Sequence, residues 1–459
     1  MIGIICSLLV LALIVYLLAK GYTPQAVLFL AGFILLVCTA VFNINPILDA
    51  KQTTNFVGFD IIKTFSNLFS TRIAGLGLML MTIGGFSRYM EHVGASRALF
   101  AVFERPLKSI DSPYVLLAAS FIVSQILVVF IPSHAGLGLL LMVTLYPILI
   151  RSGVSKLSAL GVIGCAQYMD VGPGSGNCIL AAQIAGLDPA VYFVSYQLWV
   201  FVPITLVLAV VHVIVQRWWD KREGYVYDPA ILKDLAAQEE KTVMPPRLYA
   251  ILPIIPLLLI LGFSRVVNSP IKMDVPTAMV ISTLISIIAE IIFKKDFKAA
   301  MKSFMLFFDG MAKILAGVVS LIICGEFFAA GLTKIGVVKT LVDASAAAGF
   351  GLAPMVIIGS LLMAISAFLM GSGNAAFFSF APLTKDIAKG LGYPVIELIF
   401  PLQIMTSFGR VASPITAAIV AIAGIAGVSP FQVAKRTCIP MLVAAILNMA
   451  IYFGLFYGA

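Results

Sequence analysis

The chain has 459 residues, of which 61% are hydrophobic and only 11% are charged, and its formal net charge is +9. This composition excludes a soluble globular domain, in which roughly half of the residues are apolar. The Lys and Arg residues stand in short clusters between apolar runs, as they do in cytoplasmic loops of membrane proteins, so the charge does not indicate a nucleic-acid partner. The sequence therefore predicts an all-α polytopic membrane protein that lies in a lipid bilayer.

Apolar runs that are long enough to cross a bilayer, at about 20 residues per span, recur along the whole chain. In the first half they lie near residues 2–19, 24–42, 72–92, 112–131, 156–187 and 190–216. In the second half they lie near residues 248–265, 275–293, 305–332, 353–370, 395–427 and 434–457. We expect about five to six transmembrane helices in each half, the first of them an uncleaved N-terminal helix.

The longest polar stretch, residues 217–247, separates the two sets of apolar runs. It mixes charges of both signs, which is typical of a solvated segment. The sequence therefore predicts a first transmembrane repeat (1–216), a polar cytoplasmic linker (217–247) and a second transmembrane repeat (248–459).

The two halves are similar to each other. A shift of 239 positions lays residues 132–136 on residues 371–375, and a shift of 241 lays residues 184–189 on residues 425–430. Glycine, proline and small polar residues interrupt the apolar runs at corresponding places, which points to the midplane binding site of a secondary transporter.

Each half is therefore expected to contain one re-entrant hairpin and one broken helix. The predicted hairpins are 132–150 and 371–386, and the predicted broken helices are the long runs 156–187 and 395–427.

The basic clusters indicate how the halves are oriented. One cluster is Arg88, Arg97, Arg105 and Lys108, and the other is Lys294, Lys295, Lys298 and Lys302. Both are expected in the cytoplasm, yet they occupy non-equivalent loops of the two halves. This favours inverted rather than parallel repeats.

The polar residues at the interruptions are the predicted substrate site. Free backbone N–H groups and the positive ends of broken helices favour an anion there. The candidate residues are Ser133, His134, Ser175, Gly176, Asn177, Ser372, Gly373, Asn374, Arg410, Ser413 and Thr416.

Arg410 is the main candidate for binding a carboxylate, because its planar guanidinium can donate two parallel hydrogen bonds. The alternative is that Arg410 pairs with Asp170 as a structural bridge. His134 could donate to an anion or carry a coupling proton, or it could be a hydrogen-bonded residue with neither role. Acidic residues such as Glu326 are expected to pair with lysines such as Lys313.

Four motifs resemble a known family. They are Ile-Ala-Gly-Leu-Gly-Leu at 73–78, Met-Gly-Ser-Gly-Asn-Ala at 370–375, Gly-Arg-Val-Ala-Ser-Pro-Ile-Thr at 409–416 and Gly-Val-Ser-Pro-Phe-Gln-Val-Ala-Lys-Arg-Thr at 427–437. They are similar to the DcuC/DcuD family of anaerobic C4-dicarboxylate carriers. The resemblance implies a bacterial inner-membrane carrier that exchanges fumarate for succinate or exports succinate. It also implies an ion-transporter fold with two re-entrant hairpins and a homodimer.

The sequence thus predicts a secondary active transporter of C4-dicarboxylates that works by alternating access, with no enzymatic activity, cofactor or metal site. The coupling ion stays open between a proton and sodium. One alternative is a carrier of another organic anion, such as a short-chain fatty acid or an amino acid. An alternative from another class is an intramembrane enzyme that uses Asp170 or His134.

Overall fold

The computed structural model describes residues 2–227, 245–347 and 351–458, and these residues form helices without any β-strand. Most of the predicted linker, residues 228–244, lies outside the described residues. The first half contains α1 (Ile2–Ala19), α2 (Pro24–Val41), α3 (Val57–Arg72), α4 (Leu78–Val93), α5 (Ala95–Lys108), α6 (Pro113–Phe130), α7 (His134–Arg151), α8 (Lys156–Gly164), α9 (Gly176–Ala185), α10 (Pro189–Tyr192) and α11 (Leu198–Arg222). The second half contains α12 (Ile255–Gly262), α13 (Val275–Lys294), α14 (Phe297–Ser303), α15 (Met305–Ile314), α16 (Ser320–Lys334), α17 (Val337–Ala347), α18 (Leu352–Met370), α19 (Gly373–Gly390), α20 (Val395–Ala412), α21 (Ala417–Ala426) and α22 (Pro430–Leu455).

Ten segments of the described residues are long and apolar enough to cross a membrane. Several are continuous helices joined through a π-helical turn, as in Val57–Val93 and Phe297–Lys334. Their π-turns, Ile73–Gly77 and Leu315–Val319, lie at corresponding places of the two halves. The multi-pass membrane class predicted from composition is therefore confirmed.

Both halves contain a helical hairpin followed by a broken helix. The hairpins are α6–α7 and α18–α19, and the broken helices are α8–α9 and α20–α21. The predicted hairpin ranges need a correction: residues 134–151 and 373–390 are each one continuous helix, and the turn lies just before it. The polar residues that indicated the hairpins form the turn. The helices that lead into the turns, α6 and α18, correspond to the predicted crossings 112–131 and 353–370.

The broken helices form the centre of the core. Every residue of α20 from Glu397 to Val411 is buried. Irregular backbone at membrane depth is tolerated only where protein or a cavity surrounds it, because lipid offers no hydrogen bonds. The position of the breaks inside the core meets this requirement.

The halves pack on each other reciprocally. Helix α2 packs on α16, while α13, from the other half, packs on α4. In the same way α7 packs on α21, and α19 packs on α9. These contacts between the halves thus have counterparts with the roles exchanged, as expected for a pseudo-two-fold arrangement.

The segment Phe297–Lys334 connects the surroundings of the two hairpins. Near its beginning, Ser303 Oγ lies 3.1 Å from Nε2 of His92, at the end of α4. From there α5 leads to the base of the first hairpin. Near its other end, Thr333 Oγ1 donates to Asp386 Oδ2 at 3.3 Å, close to the base of the second hairpin. The hairpins thus start from regions at opposite ends of this segment, which supports the predicted inversion.

A test of this inversion uses single cysteines at Lys221 and Lys389, both exposed. Lys221 lies in the last turn of α11, within the predicted cytoplasmic linker, whereas Lys389 lies at the base of the second hairpin. We expect an impermeant thiol reagent added to intact cells to label the cysteine at 389 and to spare the one at 221. Permeabilised cells are the control, in which both should react. Labelling of both positions, or of neither, in intact cells would contradict the inverted arrangement.

Candidate functional site

The tips of the two hairpins have the same local structure. Ser133 precedes α7, and its Oγ accepts a hydrogen bond from the Gly136 N–H at 3.2 Å. Ser372 precedes α19, and its Oγ accepts from the Ala375 N–H at 3.1 Å. Both serines therefore cap helix N-termini, whose first N–H groups have no partners within the helix. Each serine hydroxyl can still donate its own proton to a ligand.

The two helix breaks differ in length. Residues 165–175 separate α8 from α9, whereas only residues 413–416 separate α20 from α21. In the short break Thr416 Oγ1 donates to the Arg410 carbonyl at 2.6 Å, and Ser413 Oγ accepts from the Ile415 N–H at 3.4 Å. These buried side chains hydrogen-bond the backbone of the break itself. Ser175, in the long break, is also buried.

Arg410 and Asp170 form a buried ion pair between the two broken helices. The Arg410 Nη1 lies 3.1 Å from Asp170 Oδ2, and the two side chains are only 8% and 5% exposed. Arg410 Nη2 donates to Asp170 Oδ1 at 3.3 Å and to the Gln167 carbonyl at 3.1 Å. The structural-bridge alternative for Arg410 is therefore the arrangement that the structure contains.

Amide and hydroxyl groups complete the hydrogen bonding of Asp170. Its carboxylate accepts from Asn177 Nδ2 at 2.6 Å, from Gln167 Nε2 at 2.9 Å and from Ser407 Oγ at 3.2 Å. A buried carboxylate needs this many partners, since desolvation of each ion costs several kcal/mol. Asn177, predicted to bind substrate, thus contacts Asp170.

His134 lies behind the first tip. Its Nε2 donates to the Gly164 carbonyl at 3.2 Å, and its Nδ1 is buried with no hydrogen-bond partner among the described residues. Gly373 lies against α20, where an added Cβ would be 3.5 Å from Cβ and Cδ of Arg410. The two tips therefore contact the broken helices directly.

A cavity of about 260 Å³ lies where the tips meet α4 and α15. Of the predicted site residues, Ser133, Gly176 and Asn374 line it, beside Pro132 and Gly174. Since one water molecule takes about 30 Å³ in the liquid, this volume accommodates a small organic acid. The predicted site residues that do not line this cavity are His134, Ser175, Asn177, Ser372, Gly373, Arg410, Ser413 and Thr416.

The opposite wall of the cavity carries charges that the sequence analysis assigned elsewhere. Arg88, Glu91 and Lys313 all line it. From the sequence, Arg88 is only an indicator of sidedness, and Lys313 is expected to pair with an acidic residue. Glu326 instead pairs with Arg72, at 2.6 Å. The glycines at 84, 85 and 310 are the signal that could have found this wall, because small residues allow two membrane helices to approach closely.

Comparison with known proteins decides the family. The profile of DcuC, the C4-dicarboxylate anaerobic carrier, matches residues 2–457. The chain belongs to the DcuC family. This family is one of transporters and not of enzymes, so the intramembrane-enzyme alternative is set aside.

Individual relatives cover nearly the whole chain. The probable anaerobic C4-dicarboxylate transporter DcuC of Vibrio cholerae is 31% identical over 447 residues, which span 97% of this chain and 96% of that protein. The anaerobic C4-dicarboxylate transporter DcuC of Escherichia coli K12 is 30% identical over 428 residues, or 93% and 91% of the two chains. Among solved structures, the Alcanivorax borkumensis YdaH transporter, described as having an unusual topology, matches with a TM-score of 0.50 and 15% identity over 95% of this chain and 97% of that one. That similarity concerns the fold alone.

The ion pair makes a prediction for stability. Asp170→Asn or Arg410→Gln alone should lower the free energy of unfolding by about 3–5 kcal/mol, because the remaining charge would be buried without a partner. The double variant should lose much less than the sum of the two. Unfolding of the purified DcuC-family protein in detergent measures this.

The control for the ion-pair experiment is the exposed pair Lys108–Glu104, with 2.6 Å between its charged atoms. Glu104→Gln and Lys108→Gln should each change the free energy of unfolding by less than about 1 kcal/mol. Single variants of Arg410 and Asp170 as stable as the wild type would contradict the structural role of the buried pair.

Proposed function

We propose that this protein is a secondary active transporter that moves C4-dicarboxylates across the bacterial inner membrane, by exchange of fumarate for succinate or by succinate efflux. Membership of the DcuC family and the names of its full-length relatives support the substrate class. The ten candidate membrane spans support a multi-pass carrier.

The observation that carries this proposal is the cavity in which both hairpin tips and the first helix break meet. Ser133 comes from one tip, Asn374 from the other, Gly174 from the break and Gly176 from the beginning of α9. Ser133 offers a hydroxyl and Asn374 an amide, and the two glycines have no side chain, so a ligand can come close to the backbone. All of these residues lie near the beginning of helices α7, α9 and α19. Carboxylates are favoured there, since helix N-termini carry unpaired N–H groups and a positive partial charge.

We propose alternating access as the transport mechanism. The hairpins and broken helices pack together as one unit through the α7–α21 and α9–α19 contacts, and the cavity lies between this unit and α4 and α15. A displacement of the unit past α4 and α15 would open the cavity first to one side and then to the other. The reciprocal packing of the two halves gives the displacement two related end points.

Counterflow into proteoliposomes tests the substrate class. Vesicles loaded with succinate should take up labelled fumarate faster than empty vesicles, and acetate or an amino acid inside should not accelerate the uptake. Parallel runs with and without a sodium gradient and with and without a proton gradient identify the coupling ion. Acceleration by a short-chain fatty acid or an amino acid, but not by succinate, would favour the other organic-anion carrier.

Asn374→Ala tests the cavity as the site. The variant should raise the apparent KM for succinate roughly 2- to 12-fold, because it removes a neutral hydrogen bond worth about 0.5–1.5 kcal/mol. Ser372→Ala should act mainly on the stability of α19, since Ser372 caps that helix. Asn67→Ala, on α3 away from the cavity, is the control. An unchanged KM in Asn374→Ala would remove this residue from the site.

A further inference from the structure

We propose that Arg88 and Lys313 bind the substrate carboxylates, and that Glu91 is the anion which the substrate displaces from Arg88. This inference rests on the proposed function and adds to it the residues that provide positive charge. It moves the role of carboxylate binding from Arg410 to the opposite wall of the cavity.

A close helix contact brings the two cations to one wall. Helices α4 and α15 cross where Gly310 meets Gly84, and a Cβ on Gly310 would lie only 2.5 Å from the Gly84 carbonyl oxygen. The same Cβ would lie 2.8 Å from Cβ of Arg88. Only glycine fits at such a distance, so the helices meet at backbone level. Arg88 is thereby held against α15, and Lys313 follows Gly310 by one helical turn on the same cavity wall.

The positive charges of this wall are available to a ligand. Lys313 is exposed and has no ion pair among the described residues. Arg88 has a single carboxylate neighbour among the described residues, Glu91, with 3.4 Å between Nη1 and Oε2. Both side chains of this pair are about 40% exposed, at 42% and 41%, so the pairing is weak.

Arg410 is not available in the same way. Its guanidinium donates three hydrogen bonds to Asp170 and one to the Gln167 carbonyl. A substrate carboxylate could reach it only by leaving Asp170 buried without its cation, which is costly. A dianion in the cavity needs positive charge, and Lys313 and Arg88 supply it without breaking a buried pair.

Glu91 occupies a place suited to a substrate carboxylate. It lines the cavity and contacts Arg88. A Cβ on Gly136, in the first turn of α7, would lie 3.0 Å from its Oε1. The carboxylate of Glu91 therefore lies between a cation and the positive end of a helix. An entering dicarboxylate competes with it for Arg88, while Lys313 binds the second carboxylate.

The proposal predicts effects of opposite sign from the two kinds of charge. Lys313→Gln and Arg88→Gln should each raise the apparent KM for succinate about tenfold, the scale of a hydrogen bond between charged groups. Lys313→Arg should restore most of the affinity. Glu91→Gln should lower the KM several-fold, because it removes a competing negative charge. A purely structural role of this cluster would not produce a gain in affinity.

Selectivity between one and two carboxylates provides a second measurement. Butyrate has the same carbon chain as succinate but a single carboxylate. The preference for succinate over butyrate as a competitor should shrink about tenfold in Lys313→Gln, because only the dicarboxylate loses a contact. This ratio and the KM do not depend on the amount of folded carrier, so a variant with reduced stability still gives a result.

The controls are Lys302→Gln and Glu104→Gln. Lys302 is exposed and Glu104 is half-buried, and neither lines the cavity, so both variants should leave the KM for succinate unchanged. The absence of succinate counterflow in the wild-type protein would overturn the proposed function itself. Wild-type counterflow together with an unchanged KM in Lys313→Gln and Arg88→Gln would overturn only the role of the two cations. A KM raised by Glu91→Gln as much as by Lys313→Gln would overturn the displacement of Glu91.

Discussion

The buried pair of Arg410 and Asp170 is the interaction on which the centre of this protein depends. Each half breaks a helix inside the core, and each break leaves backbone groups that lipid cannot satisfy. Arg410 comes from α20, just before one break, and Asp170 lies within the other. The pair ties the two breaks together, and side chains from both halves complete it: Asn177 and Gln167 from the first and Ser407 from the second. Loss of either charge would leave the other buried without compensation.

The Arg410–Asp170 pair also explains why neutral and charged side chains lie on different walls of the cavity. The unit of tips and broken helices provides neutral hydrogen-bonding groups to the cavity, because its Arg410 donates to Asp170. The positively charged side chains that line the cavity are Arg88 of α4 and Lys313 of α15. In the proposed mechanism, the unit that moves would stay electrically neutral in its core, while the wall that it faces would carry the charge.

Much of the architecture could be predicted from the sequence, because the bilayer imposes simple rules on composition and length. The apolar runs, the duplication and the position of both helix breaks follow from Gly, Pro and polar residues that interrupt apolar segments. The predicted hairpin bounds differ from those of the structure, because a polar turn in the sequence does not indicate which neighbouring helix pairs across it.

The site could be predicted only in part, since side-chain partners are a tertiary property. Of the residues predicted for the site, Ser133, Gly176 and Asn374 line the cavity. Arg410 is distinctive in the sequence because it lies inside an apolar run. In the structure, however, Asp170, 240 positions earlier, forms an ion pair with it. Arg88 and Lys313 look like ordinary loop cations. Their shared wall arises from the Gly84–Gly310 contact between two distant helices, which no local pattern shows.

The unequal length of the two breaks has a kinetic consequence. A carrier made of two identical inverted halves would have end states of equal free energy, and an empty molecule would face either side equally often. Here one break spans residues 165–175 and the other only 413–416, so the two end states of the proposed mechanism would have different contacts and different energies. Under the proposed alternating-access mechanism, the empty carrier would accumulate facing one side, and the apparent affinity for the same substrate would differ between the two faces of the membrane.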